Sequence, residues 1–183
     1  MRILLALAAA ACLTALGCSR RAEVAGPPVP DPDTTGMEAP VVEIIRTGRG
    51  RVSRDPDSGE AWSFLAAVLD IHGFPRDAET AYRRALELAP NDPKLPYNLA
   101  ILLEDRGGDP DEIVGLYRRF AQREPKFPPV HFRIGGVLAR KGDLAAAAEA
   151  YRTALSLDPQ LTIARRSLGQ VLIALDEAGR AIG

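Results

Sequence analysis

The sequence predicts an all-α fold of stacked helical hairpins, and three observations carry that expectation. Aromatic residues make up 5% of the chain while alanine, leucine and arginine are abundant, a balance that favours helices because these side chains lose little rotamer freedom there. One pattern of large, small and glycine positions recurs roughly every 34 residues, the signature of a repeat array. Within each copy a glycine and a proline fall at fixed places, Gly73, Gly107 and Gly142, then Pro90, Pro125 and Pro159, where they would end the first and second helix of a hairpin. The 183 residues suit one folded unit with a leader. The net charge of −1, with acids and bases interspersed, supplies no field for nucleic acid.

Taken in order, the chain opens on Arg2 and an apolar run from Ile3 to Leu16, followed by Gly17, Cys18 and the polar Ser19-Arg20-Arg21. This is the layout of a signal peptide over 1–17, too short for a comfortable permanent span. The segment Thr14-Ala15-Leu16-Gly17-Cys18 resembles the bacterial lipobox, in which a small residue precedes a cysteine that is diacylated before cleavage; Ala15 stands where leucine is usual. The resemblance implies lipidation at Cys18, an anchor of several acyl chains and, from Ser19, sorting to the outer membrane facing the periplasm if the source is Gram-negative. The alternative is an ordinary cleaved signal peptide, or an uncleaved anchor, with Cys18 a bystander. Cys12 would leave with the leader, so Cys18 would be the lone thiol of the mature chain, with no disulfide to form. Residues 18–40, centred on Pro27-Pro28-Val29-Pro30-Asp31-Pro32, read as a flexible Pro/Gly-rich tether.

The repeats follow. The first is Trp62, Leu65, Ala66, Leu69, Gly73, Ala78, Tyr82, Ala85, Pro90; the second Pro96, Leu99, Ala100, Leu103, Gly107, Ile113, Tyr117, Phe120, Pro125; the third His131, Ile134, Gly135, Leu138, Gly142, Ala147, Tyr151, Ala154, Pro159. Small residues at Ala66, Ala100 and Gly135 allow helices to approach, and Tyr82, Tyr117 and Tyr151 fill the space between hairpins. This series resembles the tetratricopeptide (TPR) repeat. The resemblance implies a right-handed superhelical solenoid of three hairpins, 59–92, 93–127 and 128–161, plus a C-terminal capping helix or truncated fourth repeat at 162–183. In the second repeat Ile113 and Phe120 replace small residues and the loop at Gly107-Gly108-Asp109-Pro110-Asp111 is one residue longer, so wider helix spacing is expected there. Residues 41–58 could supply the second helix of a partial repeat, weakened by Gly48 and Gly50.

In a TPR solenoid the first helices line a concave groove, and the resemblance implies that it binds an extended peptide or partner helix. Projected on the register, the lining includes Phe64, Asp70, Tyr97, Asn98, Ile101, Glu104, Asp105, Phe132, Arg133, Arg140, Arg166 and Gln170. The projection gives a graded groove: Asp70, Glu104 and Asp105 make one end acidic, Arg133, Arg140 and Arg166 the other basic, with Phe64, Tyr97 and Phe132 between them. Such a groove could orient a segment of opposite polarity; the alternative is that these charges only solvate a helix face. The chaperone-type carboxylate clamp is rejected. Asn98 and Arg133 occupy two of its places, but Ser63, Ala67 and Pro129 hold others. The apolar run Val171-Leu172-Ile173-Ala174-Leu175 predicts an end-to-end homodimer or a docked partner, unless a kink or the short tail covers it.

Chemistry is not expected. His72 and His131 read as structural, Thr47-Gly48-Arg49-Gly50 lacks the Lys and Ser/Thr of a phosphate loop, and no nucleophile elbow, zinc helix or cofactor motif is present. The reading is therefore a lipid-anchored scaffold for an unknown protein or peptide in the cell envelope, with a soluble periplasmic or secreted binding subunit of a larger complex as the alternative.

Overall fold

A computed structural model describes residues 26–182; the segment expected to be a signal peptide and Cys18 lie outside the described residues. These residues form the helices α1 (Ala39–Arg54), α2 (Gly59–Ile71), α3 (Pro75–Leu88), α4 (Lys94–Asp105), α5 (Pro110–Arg123), α6 (Pro128–Lys141), α7 (Leu144–Leu157) and α8 (Thr162–Ile182), with no strand among them. Each helix packs chiefly on its sequence neighbours, and α8 also reaches back to α6. That nearest-neighbour stacking makes a solenoid.

The local sequence sets each boundary. Ser58, Asp109 and Asp143 accept backbone N–H groups at the starts of α2, α5 and α7, from Ala61, Asp111 and Ala146, capping donors that the first turn leaves unpaired. Gly73, Gly107 and Gly142 have φ of 83°, 68° and 90°, a left-handed conformation that a Cβ penalises. One residue further on, Phe74 donates to the Leu69 carbonyl, Gly108 to Leu103 and Asp143 to Leu138, at 2.8, 2.8 and 3.0 Å. The three hairpins therefore turn by the same C-cap device.

Between a second helix and the next hairpin, the proline carbonyl is the hinge. The Trp62 indole donates to the Pro56 carbonyl at 2.8 Å, His131 Nε2 lies 3.2 Å from the Pro125 carbonyl, and the Arg165 guanidinium donates to Pro159. One repeat position thus repeats one bond with three side-chain chemistries, which accounts for His131 as a structural residue. Pro96, at the same position, has no N–H to offer.

Leu65, Leu69, Leu95, Leu99 and Val130 are at most 1% exposed, each contributing about 1.5–3 kcal/mol by burial. Tyr82, Tyr117 and Tyr151 are all at most 4% exposed. Gly135 shows why small residues stand at its repeat position, because a Cβ on it would lie 2.7 Å from the Tyr151 ring. In the second hairpin, as Ile113 and Phe120 require, α4 and α5 approach each other less closely than α2 and α3 or α6 and α7.

Two regions depart from the sequence reading. The described part of the 18–40 tether is not free: Pro30 is buried, Val29 and Met37 pack on the core, and Asp31 lies 2.7 Å from Arg49. Average composition conceals these few specific contacts, and prolines lower the entropy lost in making them. The adjoining α1 begins at Ala39, before residue 41, and is a full helix despite its glycines, with Ile45, Gly48 and Val52 buried. Gly48 is there for approach, since a Cβ on it would lie 3.1 Å from Leu65 Cδ1.

Candidate peptide-binding groove

The first helices α2, α4, α6 and α8 place side chains of adjacent repeats side by side on the inner face. Glu104 of α4 is its electrostatic centre. It accepts the Tyr117 hydroxyl at 2.6 Å, and the guanidinium groups of Arg140 and Arg133 lie 2.6 and 3.3 Å away. Burial alone would raise this carboxyl, but hydrogen bonds from Tyr117 and Arg140 and the charges of Arg140 and Arg133 outweigh it and hold Glu104 below the ordinary glutamate range. Burial, then the Glu104 bond and charge, push Tyr117 upward.

This arrangement corrects the expected gradient. Glu104 is not part of an acidic end facing a separate basic end; it is matched by Arg133 and Arg140 within the fold. Sequence register contained the signal, because Glu104 and Arg140 fall at adjoining register positions of consecutive first helices. What projection missed was Tyr117, which reaches the same carboxylate from a second helix.

The aromatic side chains also have structural duties. Tyr97 packs against Tyr117, Phe120 and Phe127, with ring centroids 5.8, 4.6 and 5.9 Å apart. Phe132 lies on Tyr151 at 5.7 Å. Phe64 sits beneath the Arg51 guanidinium of α1 at 4.1 Å, a cation–π contact. Phe64, Tyr97 and Phe132 are therefore half-buried packing residues and not free platforms between two charged ends.

A smaller set of polar groups remains open. Asp70 of α2 and Asp105 of α4 face each other electrostatically, and neither forms an ion pair among the described residues. Asp70 is raised above the ordinary aspartate value, first by burial and then by Asp105. Burial and the Asp70 charge push the neighbouring Tyr82 up to about 12. Asn98 and Ile101 are half-buried beside this region, while Arg166 and Gln170 are exposed on α8. The inner face thus keeps an acidic pair near its first hairpin, a neutralised middle and the exposed Arg166 further along.

No group of three or more His, Cys, Asp or Glu is placed to hold a metal among the described residues. No helix among them is long and apolar enough to cross a membrane.

The geometry defines a helical-hairpin repeat scaffold with a polar and aromatic inner face. Residues 71–128 and 128–161 match the tetratricopeptide repeat; this stretch of the chain consists of tetratricopeptide repeats, a scaffold fold that is generally non-catalytic. The chain is 34% identical over 121 residues to the cellulose synthase operon protein C of Pseudomonas fluorescens (strain SBW25), covering 58% of this chain and 9% of that protein's length. Among solved structures it resembles MamA from Desulfovibrio magneticus RS-1, with a TM-score of 0.68 at 18% identity, over 79% of this chain and 81% of that one. It also resembles YrrB, described as a TPR protein with an unusual peptide-binding site, with a TM-score of 0.67 at 18% identity over 75% and 72% of the two chains. The Yersinia enterocolitica type III secretion chaperone SycD, solved with a peptide of the translocator YopD, aligns with a TM-score of 0.57 at 21% identity over 63% and 92%. At these identities the structural likeness is one of fold.

Proposed function

We propose that this chain is a protein-binding scaffold of the bacterial envelope, held to a membrane by acylation of Cys18, whose inner face receives a segment of a partner protein. The observation that carries the binding reading is the unmatched pair of half-buried Asp70 and exposed Asp105, charge that a cationic group on a partner would satisfy. Arg166, exposed on α8, would meet an acid further along the same segment. The anchoring reading rests on the apolar run Ile3 to Leu16 followed by Cys18, and outer-membrane sorting towards the periplasm rests on Ser19.

Crosslinking the full chain in membranes, followed by pulldown, tests the binding reading. Asp105→Lys with Arg166→Glu is the appropriate control, since both positions are exposed. Reversing Arg133 and Arg140 would instead break the Glu104 cluster and confound binding with folding. Capture that is indifferent to the Asp105 and Arg166 reversals removes the inner-face reading. Incorporation of radiolabelled fatty acid, compared with Cys18→Ala, tests the anchor separately.

A second reading is a soluble binding subunit of a larger enzyme or assembly complex, which the similarity to a protein of a cellulose synthase operon favours. The absence of fatty-acid labelling would select it. The α8 face offers a further contact, because Leu172 is 40% and Ile173 62% exposed. An end-to-end homodimer through this face predicts a concentration-dependent mass in sedimentation that Ile173→Glu abolishes.

A further inference from the structure

The outer face carries a groove wherever consecutive second helices straddle a first helix, and the three grooves differ in what fills them. In the groove between α1 and α3 the chain fills itself. Val29 packs on the core, Pro30 is buried, Asp31 pairs with Arg49 at 2.7 Å, and Gly26 runs so close to Arg84 that a Cβ would meet its guanidinium at 3.0 Å. Beneath this strap Val52 and Ala81 have no exposure.

Between α3 and α5 side chains do the filling. Leu86 and Leu116 narrow the groove and Arg83 bridges to Glu112 at 2.6 Å, leaving a cavity of 310 Å³. Between α5 and α7 the register puts Ala121 and Ala150 at the two leucine positions and Ala146 at that of Glu112, and the cavity widens to 580 Å³. Its floor is Ile134 and Leu138. Arg118 stands on its rim at the position that Arg49 holds in the first groove, and it makes no ion pair among the described residues.

We infer that the α5–α7 groove is a second binding site, taking an extended, proline-containing segment of a partner protein with one carboxylate set against Arg118. The occupant's chemistry is displayed by the protein's own first groove, where a Val-Pro-Asp segment lies outside any helix with its acid on Arg49. Proline suits such a slot because a pre-extended chain loses little entropy on docking. Alanine at three lining positions leaves room for its side chains, and the apolar floor supplies the burial. Glu149 on the opposite rim is already paired with Arg152, which leaves Arg118 as the rim charge that sets the acid on the α5 side. This site is separate from the inner face and does not depend on the reading given to that face.

The probe is a fluorescein-labelled peptide with the sequence of residues 26–33, titrated into the full chain carrying ¹³C-labelled alanine methyls. Saturable binding that moves the Ala121, Ala146 and Ala150 methyl signals is expected. Ala121→Leu with Ala150→Leu should weaken it at least tenfold, since these leucines restore the lining of the second groove. Arg118→Glu should weaken it too, and a probe with Asn in place of Asp31 should lose no further affinity on that variant. Shifts in the wild-type methyls carry the test even if the double variant folds poorly. No saturable binding, methyls that do not move, or affinity indifferent to the two leucines would overturn the proposal. So would a concentration-dependent dimer that places a second copy's residues 26–33 in the groove.

Discussion

The Tyr117 hydroxyl, on a second helix, reaches through the hairpin to donate to Glu104 on the inner face at 2.6 Å. A hydrogen bond to a charged, half-buried acceptor contributes about 1.5–3 kcal/mol. Tyr117→Phe is therefore expected to lower the unfolding free energy at pH 7 by about 1–2 kcal/mol, as the two arginines retain part of the stabilisation. Urea denaturation measures it, and overlapping curves would show that the bond contributes nothing.

The same cluster predicts a pH dependence. Glu104 lies below the ordinary glutamate value of 4.5, so in the folded state it stays ionised where the unfolded chain takes up a proton. Its contribution is complete above that ordinary value and is lost as pH falls through the folded one. Glu104→Gln should flatten the stability profile on the acid side of 4.5. A variant profile parallel to the wild type's would locate the acid sensitivity elsewhere.

At the hairpin junctions, Trp62 is 2% exposed and bonds to the Pro56 carbonyl at 2.8 Å. Trp62→Phe removes the donor and part of a buried ring, for an expected loss of about 2 kcal/mol. His131→Phe removes a longer contact from a more exposed side chain, and less than about 1 kcal/mol should be lost. Circular dichroism is the readout, because Trp62 is the sole tryptophan. The reverse ranking would deny that this bond is what the position conserves between hairpins.

How much of this was legible in the sequence depends on the range of the interaction. Gly73, Gly107 and Gly142 act through bonds closed within a few residues, and Ala66, Ala100 and Gly135 through neighbours in the same hairpin, so the pattern announces them. The Glu104 cluster spans three helices, and while register sets Arg140 beside Glu104, a projection of the first helices could not show Tyr117 reaching it from a second helix. Pro30 is harder still, because the segment around it is held through Asp31 on Arg49 and Gly26 beside Arg84, far along the chain. Composition describes a segment's average and is blind to one buried proline.

Two glycines should respond to alanine with opposite signs. At Gly135 the new methyl would sit 2.7 Å from the Tyr151 ring, so overpacking of about 1–3 kcal/mol exceeds the helix-propensity gain of about 1 kcal/mol. At Gly50 in α1 nothing lies within 4 Å, and the propensity gain of about 0.5–1 kcal/mol stands alone. Thermal unfolding of the two variants decides it. A stabilising Gly135→Ala would mean that the ring moves aside freely.

Asp70 yields a prediction in which stability and binding part company. Burial and then the charge of Asp105 raise it, so its ionised form is less comfortable folded than unfolded. The sign is opposite to that of Glu104: the fold gains stability as pH falls through the raised value, and above it bears the cost of the charge. Asp70→Asn is expected to raise the unfolding midpoint at pH 7, a gain that vanishes below the ordinary aspartate value of 3.8, where the wild type is protonated as well. Partner capture by the same variant should fall, because the cation it would have met is no longer attracted. A charge retained against the stability of the fold, and serving only when something binds, is what an inner face reserved for a basic group requires. If Asp70→Asn lowers the midpoint instead, the carboxylate is satisfied within the fold and the acidic pair ceases to argue for a partner.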